Sequence, residues 1–506
     1  MKNIANIINF VRACEPRVKD DSYLFDTTKK ELELCARYGF KSTVLFQYDA
    51  LIDSRYIELV NEHKKLAEAG LWFEVVEPLC RDCGIEWHGR FPWDWHNDVG
   101  FLIGYTPEQR RILIDKAFEK FREIFGCYPA VAGSWHIDAF SLNYMKEKYN
   151  ITASCNCKEQ CLTDGYTMWG GIYNGAYYPS KFNMLCPAQT EENQIDVPVF
   201  RMLGADPIHQ YDLGLGNPDK AQHVISLEPV YGNAGADSDW VRWYLKENFS
   251  EKNLGFSYTQ LGQENSFGWD SISKGLPMQF EQLSEKVKRG EIELLTLGEA
   301  GKLYTEKFRT TPVQSICIDN DYSEENYKTL WYYSSFYRAN VLYQNGSIWI
   351  RDIYIFNEKF AEKFLTQREE THNCEYFNLP VMDGFMFSRD QKRAGIYFCR
   401  NGEKIQFSGE YLSRKADEKT AEISVGGKIK ITFTEEKISV KCDEDFTMNF
   451  ECADCELPYI KAEEKILHMS FRNFDYTLNL EKGLFRQNAN GLFAESEDDE
   501  IIFNFQ

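Results

Sequence analysis

The chain has 506 residues, of which 43% are hydrophobic and 27% are charged. This length exceeds what one hydrophobic core usually supports, so we expect a globular protein of two or three domains. The formal net charge of −21 argues against nucleic acid and anionic membrane surfaces as partners, because an acidic protein repels phosphates.

The first 300 residues alternate strand-like and helix-like segments. They begin as strand 4–13, helix 27–40, strand 41–49, helix 54–70, strand 71–78, helix 106–126 and strand 129–135. The helix 106–126 has the clearest ends, with Thr106 as its N-cap, Pro107 in its first turn and Gly126 at its stop. Further units follow at 151–155, 194–203, 220–231, 255–262, 272–290 and 291–304.

This alternation predicts a parallel sheet that is covered by helices. The strand segments are nearly continuous apolar runs, which are typical of strands buried on both faces, and the helices between them are amphipathic. About seven such units favour a (β/α) barrel, with a doubly wound sheet as the alternative.

The pattern changes after about residue 308. Short β-rich segments follow, and they are interrupted by glycine turns that include Asn-Gly pairs at 345–346 and 401–402. Asn-Gly is a strong hairpin signal, so these segments predict an antiparallel β-sandwich. We therefore predict a barrel domain at 1–308 and a β-rich domain at 309–506.

Fifteen cysteines are scattered without a disulfide framework, which favours a reducing cytoplasm. Residues 1–17 predict a buried strand rather than a signal segment, and no apolar run reaches the length of a membrane span. Structural zinc would need four ligands at short spacings, and we favour reduced, buried thiols instead. The clusters concerned are Cys80/Cys83, Cys155/Cys157/Cys161 and Cys452/Cys455.

Polar residues close two of the predicted barrel strands. The stretch YTQLGQENSFGW (258–269) begins as a buried strand and then presents Gln263 and Glu264 before Trp269. In VISLEPVY, Glu228 ends an apolar strand before a proline turn. An acid in such a position either caps a helix or serves a site at the carboxyl edge of the sheet.

Aromatic residues crowd a long polar loop. EWHGRFPWDWHND (86–98) contains three tryptophans, Trp87, Trp93 and Trp95, around Asp94 and His96. Rings that stack on sugar faces, beside carboxylates that bind hydroxyls, would suit a carbohydrate site, and long loops usually have a function. The alternative is that the loop only covers the top of the barrel.

Four stretches of the first 300 residues carry a family resemblance. They are DTTKKELELCARYGFKSTVLFQYD (26–49), EAGLWFEVVEP (68–78), YTPEQRRILIDKAFEKFREIFGCYPAVAGSW (105–135) and MQFEQLSEKVKRGEIELLTLGEA (278–300). Their order resembles the glycoside hydrolase/polysaccharide deacetylase superfamily. The resemblance implies a distorted (β/α)7-type barrel, here followed by the antiparallel β-sandwich.

The deacetylases of this superfamily hold a metal ion. At the matching positions, this sequence lacks the residues that bind it. They use an aspartate of a TFDDG motif after the first strand and two histidines of an HxxxH motif. Here the first strand ends in NFVRACEPR, with Arg12 and Glu15, which serve either substrate or a structural ion pair. The third strand offers Glu74 and Glu77 and no histidine. We therefore predict no metal and no other cofactor.

The resemblance instead implies a metal-free glycosidase. In family-57 glycoside hydrolases, a carboxylate nucleophile follows strand four and a carboxylic acid follows strand seven. Strand four here ends in SWHIDAF, which gives Asp138 beside Trp135 and His136. Glycosidic hydrolysis needs one protonated and one ionised carboxyl group. We predict Glu264 as the acid and Asp138 as the ionised partner, or the reverse, with Glu228 as a third candidate.

The sequence thus predicts a glycoside hydrolase that acts on an oligo- or polysaccharide. Two alternatives stay open: a non-catalytic carbohydrate-binding protein on a degenerate barrel, and a metal-dependent carbohydrate deacetylase with rearranged ligands. Ligands for the latter would come from His88, His96, His136 and Asp138. The predicted substrate-binding residues are Arg12, Glu15, Trp87, Trp93, Asp94, Trp95, His96, Trp135, His136, Gln263 and Trp269.

Overall fold

The computed structural model describes residues 3–506 except 164–165, 213, 216–224, 373–374, 377, 391, 454–456 and 489–490. The beginning of the predicted unit 220–231 and Cys455 lie outside the described residues. Among the helices that are described, none is long and apolar enough to cross a bilayer.

The first part of the chain alternates strands and helices as its hydrophobic pattern predicts. In chain order the elements are β1 (Asn3–Val11), α1 (Tyr23–Tyr38), β2 (Ser42–Phe46), α2 (Tyr48–Leu51), α3 (Ser54–Glu62), β3 (Ala67–Trp72), α4 (Glu77–Cys83), α5 (Asn97–Gly100), α6 (Pro107–Phe125), β4 (Ala132–Gly133), α7 (Ala139–Tyr149), β5 (Ser154–Asn156), β6 (Gln160–Thr163), β7 (Tyr166–Met168), β8 (Ala176–Tyr177), β9 (Val199–Arg201), α8 (Ser238–Glu247), β10 (Tyr258–Leu261), α9 (Trp269–Ile272), α10 (Gly275–Lys288), β11 (Ile292–Leu295) and α11 (Leu297–Lys307).

Strand β1 lies inside a parallel sheet in the order β10-β1-β2-β3-β4, and β11 also pairs with β1. β1 is almost fully buried because helices and the sheet interior cover both of its faces, which explains its unbroken apolar sequence. A single parallel bridge joins Val131 to Ala153, and β5 pairs with β9 in a separate small sheet. The described pairings therefore form a parallel half-barrel, and a closed seven-stranded barrel is not among them.

The predicted boundary between helix 54–70 and strand 71–78 is wrong. The helix ends at Glu62, and Ala67–Trp72 is a strand that pairs with β2 on one side and β4 on the other. Alanine and glutamate at 67–69 favour a helix, but the two neighbouring strands override that preference. Gly70 permits the close approach, since a Cβ there would lie 2.5 Å from the Val131 side chain.

The predicted ends of the helix 106–126 are confirmed. Thr106 and Gln109 form a reciprocal capping box, and Pro107 occupies the first turn. Gly126 ends the helix in the left-handed conformation with φ of 78°.

The second part of the chain is antiparallel and β-rich. Its strands are β12 (Gln314–Ile318), β13 (Tyr327–Tyr333), β14 (Tyr337–Gln344), β15 (Ser347–Ile355), β16 (Glu375–Tyr376), β17 (Leu379–Met382), β18 (Gly395–Arg400), β19 (Glu403–Lys404), β20 (Tyr411–Lys415), β21 (Ala421–Val425), β22 (Ile429–Phe433), β23 (Lys437–Cys442), β24 (Thr447–Glu451), β25 (Tyr459–Glu463), β26 (Ile466–Phe471), β27 (Phe474–Lys482), β28 (Leu484–Asn488), β29 (Gly491–Glu495) and β30 (Glu500–Asn504).

These strands build two large sheets. One has the order β12-β13-β14-β15-β18-β24-β29-β28, and the other β20-β21-β22-β23-β30-β27-β26-β25. The sheets share one hydrophobic core. The Asn-Gly pairs at 345–346 and 401–402 turn the β14–β15 and β18–β19 hairpins with positive φ at both residues, as the sequence predicted.

The two parts of the chain meet through a continuous hydrophobic core. Tyr173, from a loop of the first part, stacks on Trp331 of β13 with ring centroids 3.9 Å apart. Trp169 packs against Phe385 in the same cluster. The division at residue 308 stays a prediction, and side chains on both sides of it contribute to one core.

Candidate active site

A cavity lies at the carboxyl edge of the parallel sheet. Arg12 follows β1, Glu74 follows β3, Trp135 follows β4 and Glu264 follows β10. Carboxyl ends of parallel strands meet at one edge, and in this class of fold that edge holds the site. The cavity has a volume of about 60 Å³. Its lining consists of Arg12, Arg17, Glu74, Trp93, Trp95, Phe101, Trp135, Gln160, Leu203, Glu228, Tyr231, Glu264 and Phe267.

The buried guanidinium of Arg12 joins three carboxylates. Its Nη2 donates to Glu74 Oε2 at 2.9 Å and to Glu264 Oε2 at 3.0 Å, while Nη1 donates to Glu15 Oε2 at 3.3 Å. Burial alone would lower the pKa of Arg12, but Glu264, Glu74 and Glu15 outweigh burial and raise it. Because Glu74 and Glu264 share one nitrogen, their carboxyl groups are close neighbours in the cavity.

Glu15 is held by a second arginine. Arg17 donates from Nε to Glu15 Oε1 at 2.7 Å and from Nη2 to Oε2 at 2.7 Å. Burial alone would raise the pKa of Glu15, yet the hydrogen bonds and charges of Arg17 and Arg12 lower it. Glu15 is therefore an ionised counter-charge behind the cavity wall.

Glu74 is the carboxyl group on Arg12 whose pKa is raised. Its side chain is buried, and burial raises its pKa to about 7, although Arg12 opposes the shift. Three carboxylates surround two arginines here, so a fully ionised cluster would bury one uncompensated negative charge. A proton on the most desolvated carboxyl group removes that cost.

A second carboxylate system joins the same cavity. Gln263 Nε2 donates to Glu228 Oε1 at 3.2 Å, and Ser226 Oγ donates to Glu228 Oε2 at 2.8 Å. Burial raises the pKa of Glu228, and the charge of the buried Lys158 opposes that shift. The Gln263 Oε1 atom accepts from the Glu264 backbone N–H at 2.9 Å, so the two acids are linked through one amide side chain.

Aromatic rings wall the cavity. The Arg12 guanidinium lies 4.0 Å from the Trp93 ring centroid, and Arg17 lies 5.3 Å from that of Trp95. Trp135 packs against Phe10 of β1 at 5.2 Å between ring centroids. The apolar walls explain why the carboxyl groups inside are desolvated.

Asp138 lies outside this lining. It is buried as the N-cap of α7, where Oδ1 accepts from the Ser141 N–H at 2.9 Å and Oδ2 from Ser141 Oγ at 2.7 Å. Arg110 Nη1 donates to Asp138 Oδ1 at 3.0 Å. Its neighbour His136 is buried and shares a 2.7 Å hydrogen bond with Asn97. The sequence-predicted pair of Asp138 and Glu264 is thus not brought together in the cavity.

Other predicted contacts also lie beside the cavity. Trp87 donates to the Phe91 carbonyl, and Trp269 begins α9 near Lys30. Asp94 is buried and accepts from Arg90 at 2.8 and 2.9 Å. Burial would raise the pKa of Asp94, but the Arg90 hydrogen bonds lower it to about 2. His96 stacks on His372 at 3.9 Å between ring centroids.

The sequence prediction omitted several lining residues. Glu74 is the most important, and the rule that selected Glu264, an acid at the end of an apolar strand, applies to it equally. The others were Arg17, Phe101, Gln160, Leu203, Tyr231 and Phe267. Phe101 and Leu203 could not be predicted from the sequence, because an apolar residue that lines a cavity has the same sequence pattern as one in a hydrophobic core.

The donor set does not fit a deacetylase metal. Where the first and third strands end, this chain has Arg12 and Glu74, and both Glu74 oxygens accept from the guanidinium. A cation already occupies the position between the carboxylates. Across the residues that the structure describes, no group of three or more His, Cys, Asp or Glu side chains is arranged to hold a metal ion.

No protein-family model matches this chain, and no curated protein sequence matches it. Among solved structures, it is similar to a Parabacteroides distasonis protein provisionally described as a glycoside hydrolase/deacetylase, with a TM-score of 0.54 and 17% identity over 76% of this chain and 90% of that one. This similarity shows a shared fold.

Two further solved structures show weaker similarity. A Mycobacterium smegmatis protein, provisionally a polysaccharide deacetylase, gives a TM-score of 0.36 and 11% identity over 60% of this chain and 91% of that one. A Thermococcus litoralis 4-alpha-glucanotransferase gives 0.33 and 11% over the whole of both chains. Scores this low carry no argument about function. The fold that this chain shares is therefore the one seen in the Parabacteroides distasonis structure.

Proposed function

We propose that this chain is a glycoside hydrolase that acts on an oligo- or polysaccharide in the cavity around Arg12. The observation that carries the proposal is the meeting of Glu74 and Glu264 on one guanidinium, inside a cavity walled by tryptophan rings. The fold shared with a provisional glycoside hydrolase/deacetylase agrees with this activity.

Glu74 acts as the general acid in this proposal. Its pKa of about 7 keeps much of the group protonated near neutral pH, so it gives a proton to the leaving glycosidic oxygen. The carbon–oxygen bond to the leaving group breaks as that proton is transferred. Arg12 holds the resulting carboxylate in place.

Glu264 acts as the ionised partner, either as the nucleophile or as the base that activates water. Arg12 Nη2 and Ser266 Oγ donate to its two oxygens at 3.0 and 2.5 Å, which fixes the orientation of the carboxylate. Glu228, linked to it through Gln263, lies on the same lining and contacts substrate hydroxyls. Asp138 is a helix cap in this proposal and takes no part in the chemistry.

The first test replaces each proposed carboxylate by its amide. We expect E74Q and E264Q each to lower kcat/KM by at least about 100-fold on aryl glycosides and short oligosaccharides, because each removes one half of the acid–base pair. A matched control is E123Q, whose side chain is 62% exposed on the far helix α6 and which keeps wild-type rates. Circular dichroism and thermal melts verify that the variants are folded.

Two results would contradict the proposal. One is wild-type release of acetate from N- or O-acetylated sugars that depends on an added divalent ion, with no glycosidic cleavage. The other is glycan binding that E264Q leaves undiminished while the wild type cleaves nothing on a broad panel, which would favour a binding protein.

A further inference from the structure

A row of aromatic rings continues from the cavity wall to the protein surface. Trp95 lines the cavity, and Phe91 stacks on Trp95 with ring centroids 6.3 Å apart and planes 16° from parallel. Phe91 is 39% exposed, which is unusual for a side chain of its size beside a cavity mouth. We refer to Arg90, Phe91 and Trp95 as the outer strip.

The outer strip is rigid without any ligand. The Arg90 guanidinium lies 4.7 Å from the Trp95 ring centroid and 5.4 Å from that of Phe91. Two hydrogen bonds tie Arg90 to the buried carboxylate of Asp94, at 2.8 and 2.9 Å. Rings held in this way lose little conformational entropy when a ligand binds, so the strip is preorganised.

The chemistry of the strip suits a neutral sugar. A flat exposed ring accepts the apolar face of a pyranose, and the Arg90 side chain, 47% exposed, offers N–H donors to hydroxyl groups. Asp94 already neutralises the Arg90 charge, so a phosphate or carboxylate gains little there. On the cavity lining, Phe267 presents another ring that is 39% exposed.

We propose that the outer strip binds a further unit of a linear, neutral oligosaccharide whose scissile bond lies in the Arg12 cavity. This inference rests on the proposed function and specifies its substrate class: a chain of several sugars rather than a single glycoside. The strip makes affinity depend on chain length, because Phe91 lies beyond Trp95, outside the cavity lining, and adds a contact for a further sugar unit.

The test compares ligand lengths in the E264Q background, so that cleavage does not deplete the ligand. Dimers and hexamers of β-1,4-glucose, α-1,4-glucose and β-1,4-N-acetylglucosamine are titrated by calorimetry. For the series that binds, we expect the hexamer Kd to be at least about tenfold below the dimer Kd. F91A and, as a second variant, R90M should bring that ratio near 1. F182A removes an equally exposed ring, 40% exposed, that lies outside the cavity lining, and should leave the ratio unchanged.

The outcomes separate the two proposals. If dimer and hexamer bind alike, or if F91A and R90M keep the full length dependence while folded, the outer strip has no such role and the proposed function stands. If no oligomer binds and the wild type cleaves no glycoside, the proposed function fails, and the strip proposal fails with it. Length dependence that F91A abolishes and F182A retains supports the strip.

Discussion

Arg12 decides the electrostatics of the cavity. One buried guanidinium contacts Glu15, Glu74 and Glu264, so each carboxylate is held by a charge rather than by water. Removing one partner of such a cluster leaves an uncompensated buried charge. Arg12 opposes the effect of burial at both Glu74 and Glu15, and the two further hydrogen bonds from Arg17 are what lower the pKa of Glu15 while that of Glu74 stays raised.

The proton on Glu74 gives the reaction a pH dependence. A general acid works only when protonated, and burial raises the pKa of Glu74 to about 7. We therefore expect kcat/KM to fall as pH rises through about 7, tenfold per pH unit beyond it. A pH–rate profile between pH 5 and 9 measures this limb. If the residual activity of E74Q falls above pH 7 in the same way as that of the wild type, the group that titrates is a residue other than Glu74.

His209 makes the fold sensitive to alkaline pH. Burial alone would lower the pKa of His209, but hydrogen bonds to Asp212 and Asp321 raise it to about 10. Since the folded pKa exceeds the ordinary 6.5, the stabilisation is complete below about pH 6.5 and is lost as pH rises through about 10.

We expect H209Q to lower the free energy of unfolding by about 2–4 kcal/mol at pH 7. Above pH 10, we expect H209Q and the wild type to differ little in stability, because His209 is then neutral in the wild type as well. Urea titrations at pH 7 and pH 10 measure both values. The control is H63Q, which changes the half-buried C-cap histidine of α3. Equal destabilisation by H209Q at both pH values would mean that the charge is not responsible.

Helix α7 depends on its buried cap. Asp138 accepts from the Ser141 N–H and pairs with Arg110, whose guanidinium also donates to the Phe364 and Gln367 carbonyls. The helix start is therefore tied to α6 and to the second part of the chain. These contacts occupy both Asp138 oxygens, which is the physical reason that a strand-end acid here serves structure.

D138N tests that role. Asparagine still caps a helix, but Arg110 loses its buried counter-ion, so we expect a loss of about 3 kcal/mol in the free energy of unfolding. We also expect kcat/KM within a few-fold of wild type in the folded variant. A stable D138N protein that has lost about 100-fold or more in kcat would restore Asp138 as a catalytic carboxylate.

The loop after β5 is positioned from the second part of the chain. Arg338 of β14 donates to Glu159 Oε1 at 2.6 Å. The Tyr211 hydroxyl lies 2.7 Å from Asp352 Oδ2 and 3.2 Å from Glu159 Oε2, and its proton serves one of the two. The next residue, Gln160, lines the cavity. The β-rich part therefore fixes one wall of the site through a buried, charged network.

At the scale of the whole molecule, the two parts of the chain share a buried contact region. Trp169, Tyr173 and Tyr211 of the first part are buried against Trp331 and Phe385 of the second. Glu159 and Asp352 lie on either side of Arg338 at the same contact. Separating the two parts of the chain would expose these rings to water and leave Glu159 or Asp352 without Arg338.

We therefore expect residues 1–308, expressed alone, to fail to form a cooperatively folded protein. The measurement compares the thermal melt, near-ultraviolet circular dichroism and dye binding of the fragment with those of the full chain. A soluble fragment with a sharp melt and full-chain activity would show that the first part is an independent domain.

The sequence by itself determined the alternation of strands and helices, the change to β structure near residue 308 and the Asn-Gly hairpins. These depend on local rules: hydrophobic period, capping at Thr106, and positive φ at Asn345 and Gly346. It also placed Glu264 after a strand, since the end of an apolar run is visible in one dimension. The strand predicted to end at Glu228 is not present in the described residues 225–231, where Ser226 makes only an isolated bridge.

Only the tertiary structure decided which strand-end acids share a cavity. Glu74 and Glu264 reach one lining because β3 and β10 end at the same edge of one parallel sheet. Glu228 joins them from a segment outside the named strands, while Asp138 turns away into a cap and an ion pair. The spacing of these residues along the chain does not indicate the direction in which each acidic side chain points. The ion pair of Arg12 with Glu15 was one of the two roles that the sequence suggested, but its contacts with Glu74 and Glu264 were not, because those charges come from distant strands.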